Sequence, residues 1–183
     1  MQKRHTDRES YFDEQSQTSK NYYIPYIKEV IGHIPDKVLE VGCGEGGNLL
    51  PFAKAGCRVM GVDIDAMRIE QARTFFTQRH QQGQFIATDI FQLEDKATNF
   101  PLILLHDVIE HIRDKERFLS GLQKHLSADG AVFVGFPAWQ MPFGGHQQIA
   151  HSHIVSHVPF LHRLPRTVYI FFFKQKTAYE IGQ

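Results

Sequence analysis

The stretch VLEVGCGEGG, Val38 to Gly47, decides the fold class. KVLEVG (Lys37 to Gly42) is a short apolar run that stops at glycine, the pattern of a buried strand. Gly42, Gly44 and Gly47 then follow as G-x-G-x-x-G. GNLLPFAKAG (Gly47 to Gly56) continues as a helix closed by glycine, with Pro51 in or near its first turn. Glycine at such a strand-to-helix corner lets the chain turn tightly and brings backbone close to a ligand.

Working outward, the same alternation repeats. CRVMGVDI (Cys57 to Ile64) is a second strand, and Asp65 caps a helix to about His80 with Ile69, Ala72 and Phe76 on one face. GQFIATDI (Gly83 to Ile90) is a third strand and FPLILLHDV (Phe100 to Val108) a fourth, the most apolar. Asp114 caps a helix with the stripe Phe118, Leu122, Leu126; SADG (Ser127 to Gly130) turns the chain into a fifth strand, AVFVGF (Ala131 to Phe136). Upstream, NYYIPYIKEVIGHI (Asn21 to Ile34) has Tyr23, Ile27, Val30, Ile31 and Ile34 at helical spacing, with Pro25 in the first turn. Residues 1–20 are polar and expected to be irregular. This rhythm predicts an α/β fold: a doubly wound, mostly parallel Rossmann-like sheet with helices on both faces. Ligands bind such sheets outside the carboxyl ends of the strands. Gly42 to Gly47, Asp63, Asp89 and the pair His106-Asp107 stand there.

The glycine spacing with Asp63 at the next strand end also suits a dinucleotide, since an acid there accepts from ribose hydroxyls. Two details favour S-adenosylmethionine (SAM). Glu40 precedes the first glycine by two residues, and an acid there repels a pyrophosphate but suits the ammonium and sulfonium of SAM. Asp89 can accept from an adenine amino group, with Ile64 and Ile90 as apolar walls for the ring. On these residues, together with HDVIEHI (His106 to Ile112), the chain resembles class I SAM-dependent methyltransferases of the broad methyltransferase-domain type, which includes quinone-biosynthesis enzymes. The resemblance spans about Tyr22 to Pro137. It implies that Glu40, Gly42, Cys43, Gly44, Gly46, Asp63, Ile64, Asp89, Ile90, His106 and Asp107 hold SAM. Asp107, His106, His111 and His146 are then candidates for a catalytic base.

Blander roles stand beside these. Gly47 and Gly56 suit packing and helix ending, Glu40 a solvated strand end, Cys43 a loop filler, Asp107 a helix cap and His111 a structural contact. An NAD-dependent oxidoreductase and a non-catalytic SAM-fold binding module remain the alternatives.

The 183 residues carry 20 basic and 20 acidic side chains, so no electrostatic case exists for nucleic acid and a small-molecule acceptor is expected. Two cysteines, Cys43 and Cys57, make no disulfide framework and suit a reducing, cytoplasmic setting. No apolar run reaches the roughly 20 residues a membrane span needs. Of the 11 histidines, His146, His151, His153, His157 and His162 crowd Pro137 to Pro165. Only His153 and His157 share helical ligand spacing, and no carboxylate or cysteine lies close, so no metal site is expected. The resemblance makes this region part of an acceptor pocket or lid, with Trp139, Met141, Phe143 and His146 as contacts and Gly144-Gly145 as a pivot. The expected organisation is a polar segment 1–20, a methyltransferase domain 21–168 and a tail 169–183. FFFKQKTAYEI in that tail resembles translated sequencing-adapter DNA, so the sheet is expected to lack its complete C-terminal strands, with poor solubility or activity as the consequence.

Overall fold

Five apolar runs form a single parallel sheet in the order β3-β2-β1-β4-β5. In this computed structural model the described residues are 7–93, 97–136 and 159–160. The chain divides into two compact units, residues 3–136 and residues 1–2 with 137–183; every strand and helix named here belongs to the first. The strands are β1 (Lys37–Val41), β2 (Arg58–Asp63), β3 (Gln84–Ala87), β4 (Phe100–His106) and β5 (Leu126–Gly135). β1 pairs with both β2 and β4, for example Leu39 with Met60 and with Ile103. The strand order reverses at β1, which places the switch point, and therefore the site, at the glycine loop.

Side chains alternate across β1. Val38 belongs to a core with Phe12, Leu49, Phe52, Ile69 and Phe76. Leu39 and Val41 belong to a second core on the other face, with Ile103, Leu105, Phe118 and Leu122. Both faces of the sheet are thus covered, as its uninterrupted apolar strands require.

Residues 8–20 are helical, where residues 1–20 were expected to be irregular. Helix α1 (Arg8–Thr18) starts at Asp7, whose carboxylate accepts from the Ser10 amide at 2.9 Å. A π-helical turn (Ser19–Tyr23) joins it to α2 (Ile24–Ile31), where Pro25 lies in the first turn and Gly32 ends the helix at φ +88°. The polar sequence hides α1 because one fully buried side chain, Phe12, anchors it in place of an apolar stripe. In α2, Ile27 is buried but Val30 is exposed, so the stripe is narrower than its spacing suggests.

After the glycine loop come a 3-10 turn (Gly47–Leu49) and helix α3 (Leu50–Lys54), with Pro51 in the first turn. Helix α4 (Ala66–Gln78) begins at Asp65 and buries Ile69, Ala72 and Phe76. β3 is shorter than its sequence run: Thr88 and Asp89 leave the strand, and Asp89 caps a 3-10 turn (Ile90–Gln92). A further 3-10 turn, Ile109–His111, follows β4. Helix α5 (Lys115–Leu122) is capped by Asp114 but stops before Leu126. Leu126 instead opens β5, and SADG is a bulge within that strand, since pairing jumps from Phe100–Leu126 to Leu102–Ala131. No helix among the described residues is long and apolar enough to cross a membrane. Trp139, Met141, Phe143, His146, His151, His153, His157, His162 and the tail from Val168 lie outside the described residues.

Candidate functional site

Four amides of the glycine loop are bonded, three to β2 and one within the loop. Gly42 N and Cys43 N both donate to Val62 O, at 2.7 and 3.1 Å, and Gly46 N donates to Cys43 O at 2.8 Å. Gly44 N donates to the Asp63 carboxylate at 2.8 Å, and the other oxygen of that carboxylate accepts from Asp65 N at 2.9 Å. Asp63 is therefore held rigidly beneath the loop. Gly42 has φ +71°, and a Cβ there would lie 2.4 Å from Val108 Cγ2. Left-handed backbone and close packing both demand glycine at this corner.

Carboxylates surround the loop. Glu40 and Glu45 are 1% exposed and Asp63 is 9% exposed. Glu45 is paired with Arg8 of α1 and lies 3.8 Å from Arg68 of α4, so it ties the loop to both helices. Among the described residues Glu40 has no such cation. Asn48 Nδ2 donates to its Oε1 at 2.7 Å, while Oε2 is buried without a hydrogen-bond partner. Burial, opposed by the Asn48 bond and reinforced by Asp63, pushes the Glu40 carboxyl up to about 8. Cys43 is a loop filler: its sulfur lies against Gly61, and burial with three nearby carboxylates raises its thiol well above the ordinary value.

Helix α1 roofs this region. A Cβ on Gly47 would lie 2.6 Å from Phe12 O and 2.9 Å from Gln15 Oε1, and Ser19 Oγ donates to Asn48 O at 2.8 Å. Between roof and loop lies a cleft of about 230 Å³, lined by Tyr11, Glu14, Gln15, Thr18, Tyr23, Asn48, His106 and Asp107. The His106 ring lies 5.6 Å from that of Tyr23, and its Nδ1 is 3.7 Å from Asp107 Oδ2. Asp107 takes φ +53° at the carboxyl end of β4, an unusual conformation for a side chain other than glycine. Burial, then the charges of Asp107, Glu40 and Tyr11, pushes the Tyr23 phenol up to about 12, so it is a neutral donor.

Of the residues expected from sequence, Gly42, Cys43, Gly44, Gly46, Glu40 and Asp63 come together at the loop, and His106 and Asp107 line the cleft. Asp89 follows the end of β3, where Thr88 N donates to Asp63 O at 2.9 Å; it is exposed and caps the next turn. Ile64 is 82% exposed at the end of β2, free to cover a ring. Ile90 differs: it is buried in the second core, so it supports the site from beneath and offers no wall to a ligand. His111 is exposed and does not line the cleft. Tyr11, Glu14, Gln15, Thr18, Tyr23 and Asn48 were not legible as site residues, because their placement depends on how α1 crosses the loop. The Asp7-x-x-Ser10 cap was the available signal that a helix begins there.

The donor set suits SAM. Buried carboxylates favour a cationic ligand, the orphaned Oε2 of Glu40 calls for a hydrogen-bond donor, and Asp63 and Asp89 stand at or just beyond successive strand ends.

Comparison with known proteins agrees. At 33% identity over 118 residues, the chain is similar to the ubiquinone biosynthesis O-methyltransferase of Bartonella quintana, covering 62% of this chain and 48% of that protein. The Brucella ovis protein of the same name is 32% identical over 98 residues, covering 54% and 40%. The chain thus spans about half the length of the curated relatives it matches. Among solved structures, PKMT2 from Rickettsia typhi in complex with AdoHcy shares 28% identity at TM-score 0.56, covering 66% of this chain and 27% of that one. The plantazolicin methyltransferase BpumL in complex with SAH matches at TM-score 0.59 and 22% identity, covering 72% and 50%, a likeness of fold alone. The family described as "Methyltransferase domain" matches residues 39–132, just over half of the chain, running from β1 through the glycine loop into β5. With the strand order, the glycine loop bonded to β2 and its buried acids, that match establishes that the chain belongs to the methyltransferase-domain family.

Proposed function

We propose that this chain binds SAM at the glycine loop and transfers its methyl group to a nucleophilic oxygen of a small-molecule acceptor. The observation that carries this is the loop itself: four amides are internally bonded and three carboxylates are buried around it. A dinucleotide needs free amides and positive potential for its pyrophosphate; here four loop amides are already bonded and the side chains buried around them are acidic. The oxygen acceptor follows the relatives' name, O-methyltransferase. A small acceptor fits a cleft of about 230 Å³ whose described lining residues include no Lys or Arg for a polyanion. Two buried free thiols fit a reducing, cytoplasmic compartment.

SAM supplies a methyl group on a positively charged sulfur, which is its own leaving group. The protein's task is alignment in a dry cleft. Asp63, fixed by Gly44 N and Asp65 N, orients toward ribose hydroxyls. Gly42 and Gly44 admit the methionine part close to the backbone. Tyr23 and α1 close the cleft over His106 and Asp107, the candidates to take up the acceptor's proton. Isothermal titration tests the assignment. SAM is expected to bind and NAD not; Asp63→Ala is expected to weaken SAM by about 1–3 kcal/mol. NAD binding without SAM binding would refute it.

A further inference from the structure

Neighbouring residues of a strand point to opposite faces of its sheet. Along β4, Leu102 and Leu104 belong to the core that holds Phe12, and Ile103 and Leu105 to the core on the other face. His106 continues the first series: its ring lies 5.6 Å from that of Tyr23, which packs on the same core. By alternation Asp107 belongs on the opposite face. Instead it lines the same cleft as His106, and its Oδ2 lies 3.7 Å from His106 Nδ1. The left-handed backbone of Asp107, φ +53°, makes this reversal, and a bond from Asp107 N to Gly135 O at 2.9 Å holds it. Such a conformation costs free energy outside glycine and persists where the surroundings enforce it. The carboxylate is not spent on a cap, because the 3-10 turn after it has Val108 at the capping position and no side-chain cap bond.

The His106 ring is confined as well. Its partner across the strand pair is Gly135, where a Cβ would stand 3.1 Å from His106 Cδ2. With Asp107 at Nδ1, Gly135 at Cδ2 and the Tyr23 ring close by, Nε2 at the tip is the open nitrogen, and it bonds to no described residue. The titratable groups facing the pair are Tyr11 and Glu14 from α1 and Tyr23 from the π-helical turn, with Glu40 of β1 near enough to act on Tyr23. β5 contributes uncharged Phe133 and Gly135. Tyr23 keeps its proton and is a donor. A carboxylate is a far weaker base than an imidazole, so His106 is the group suited to take a proton near neutrality.

We propose that His106 is the catalytic base of methyl transfer, its Nε2 taking the proton of the acceptor hydroxyl, and that Asp107 is the positioning residue that holds its Nδ1–H tautomer. The proposal rests on SAM being the methyl donor at this site. The acceptor O–H bond breaks and its proton passes to Nε2. The acceptor oxygen bonds to the methyl carbon, and the carbon–sulfur bond breaks with its electron pair left on sulfur. The proton later passes from Nε2 to solvent. Asp107 stays ionised and pairs with the imidazolium. A separation of 3.7 Å is an ion-pair distance, and catalytic contacts of this kind commonly tighten as substrate binds.

Two measurements on the full chain decide it. Long-range proton–nitrogen NMR reads the His106 ring, assigned by the signal that His106→Gln removes. The Nδ1–H tautomer is expected in the parent, and Asp107→Asn is expected to shift the ring toward Nε2–H. An Nε2–H ring in the parent, or a ring indifferent to Asp107→Asn, would overturn the proposal. The second measurement follows methylation of phenol and 4-nitrophenol at pH 8 with saturating SAM, because the nitro group acidifies the hydroxyl without changing its immediate surroundings. His106→Gln is expected to slow methylation of phenol by about a hundredfold, and that of the already ionised 4-nitrophenol by no more than a few-fold. A merely structural His106 would slow both alike, which would also overturn the assignment. No methylation of either phenol by a parent that binds SAM would overturn it while sparing the SAM reading. Failure of the parent to bind SAM in titration calorimetry would sink that reading and this one with it.

Discussion

At the scale of single residues, the site is built from positions that only one side chain fits. Gly42 combines φ +71° with a neighbour, Val108 Cγ2, only 2.4 Å from where a Cβ would stand. Gly42→Ala is therefore expected to cost about 2–4 kcal/mol in urea unfolding, from left-handed strain and overpacking together. Adding Val108→Ala is expected to return the packing part but not the strain, so partial recovery is the signature. Glu40 makes the opposite bargain, a polar group kept where burial penalises its charge. Its carboxyl titrates near 8 in the folded chain against 4.5 in the reference state. Between those values the folded chain holds a proton that the unfolded chain has lost, so stability falls as pH rises from about 5 to 8. Glu40→Gln stays neutral throughout. Thermal melts of the unliganded protein are expected to diverge across this window, the variant holding its melting temperature while the parent loses it. Parallel curves would show that Glu40 ionises freely. Glu40 was legible in sequence as an acid before a glycine loop; its proton was not, because that depends on Asn48 and on the absence of a facing cation.

Between residues and the whole lies the contrast of strand and helix. The strands were legible because each is buried on both faces and reads as an apolar run, and the glycine corner and Asp63 followed from them. Helix α1 was not. Its sequence, RESYFDEQSQT, is polar, and it is held by tertiary contacts: Phe12 sits 5.1 Å from the Phe75 ring, Arg79 stacks over Phe12 at 4.5 Å, and Arg8 pairs with Glu45. Propensity and periodicity carry no information about partners so distant in the chain. The β5 bulge at SADG misled for a related reason, since a turn-like sequence can be absorbed by a strand whose neighbour fixes its ends. Because α1 is both roof and anchor, Phe12→Ala is expected to do two things. It removes a fully buried aromatic, costing about 3–5 kcal/mol in denaturant unfolding. It also loosens Gln15 and Ser19 from the loop, so SAM affinity falls even in buffer where the chain stays folded. Unchanged affinity with lowered stability would show that the roof is packing only.

For the molecule as a whole, the ligand and the fold share one set of contacts. The glycine loop joins β1 to α3, Asp63 ends β2, Asp107 follows β4, and Glu45 pairs with a residue of α1. A ligand held by all of these binds the folded chain and not the unfolded one. Its stabilisation then follows from mass action, about 2.7 kcal/mol at a hundred times the dissociation constant. For a folded unit of residues 3–136 that corresponds to a rise in melting temperature of roughly 5–15 °C. Scanning fluorimetry with SAM, S-adenosylhomocysteine and NAD at equal concentration is the measurement. The first two are expected to shift the melt upward, growing with the logarithm of concentration, and NAD to leave it within about 1 °C, since its pyrophosphate meets buried carboxylates and a loop with four of its amides already bonded. An equal shift with NAD would mean that the acids around the loop do not discriminate. No shift with any ligand would separate this chain's family membership from ligand binding altogether.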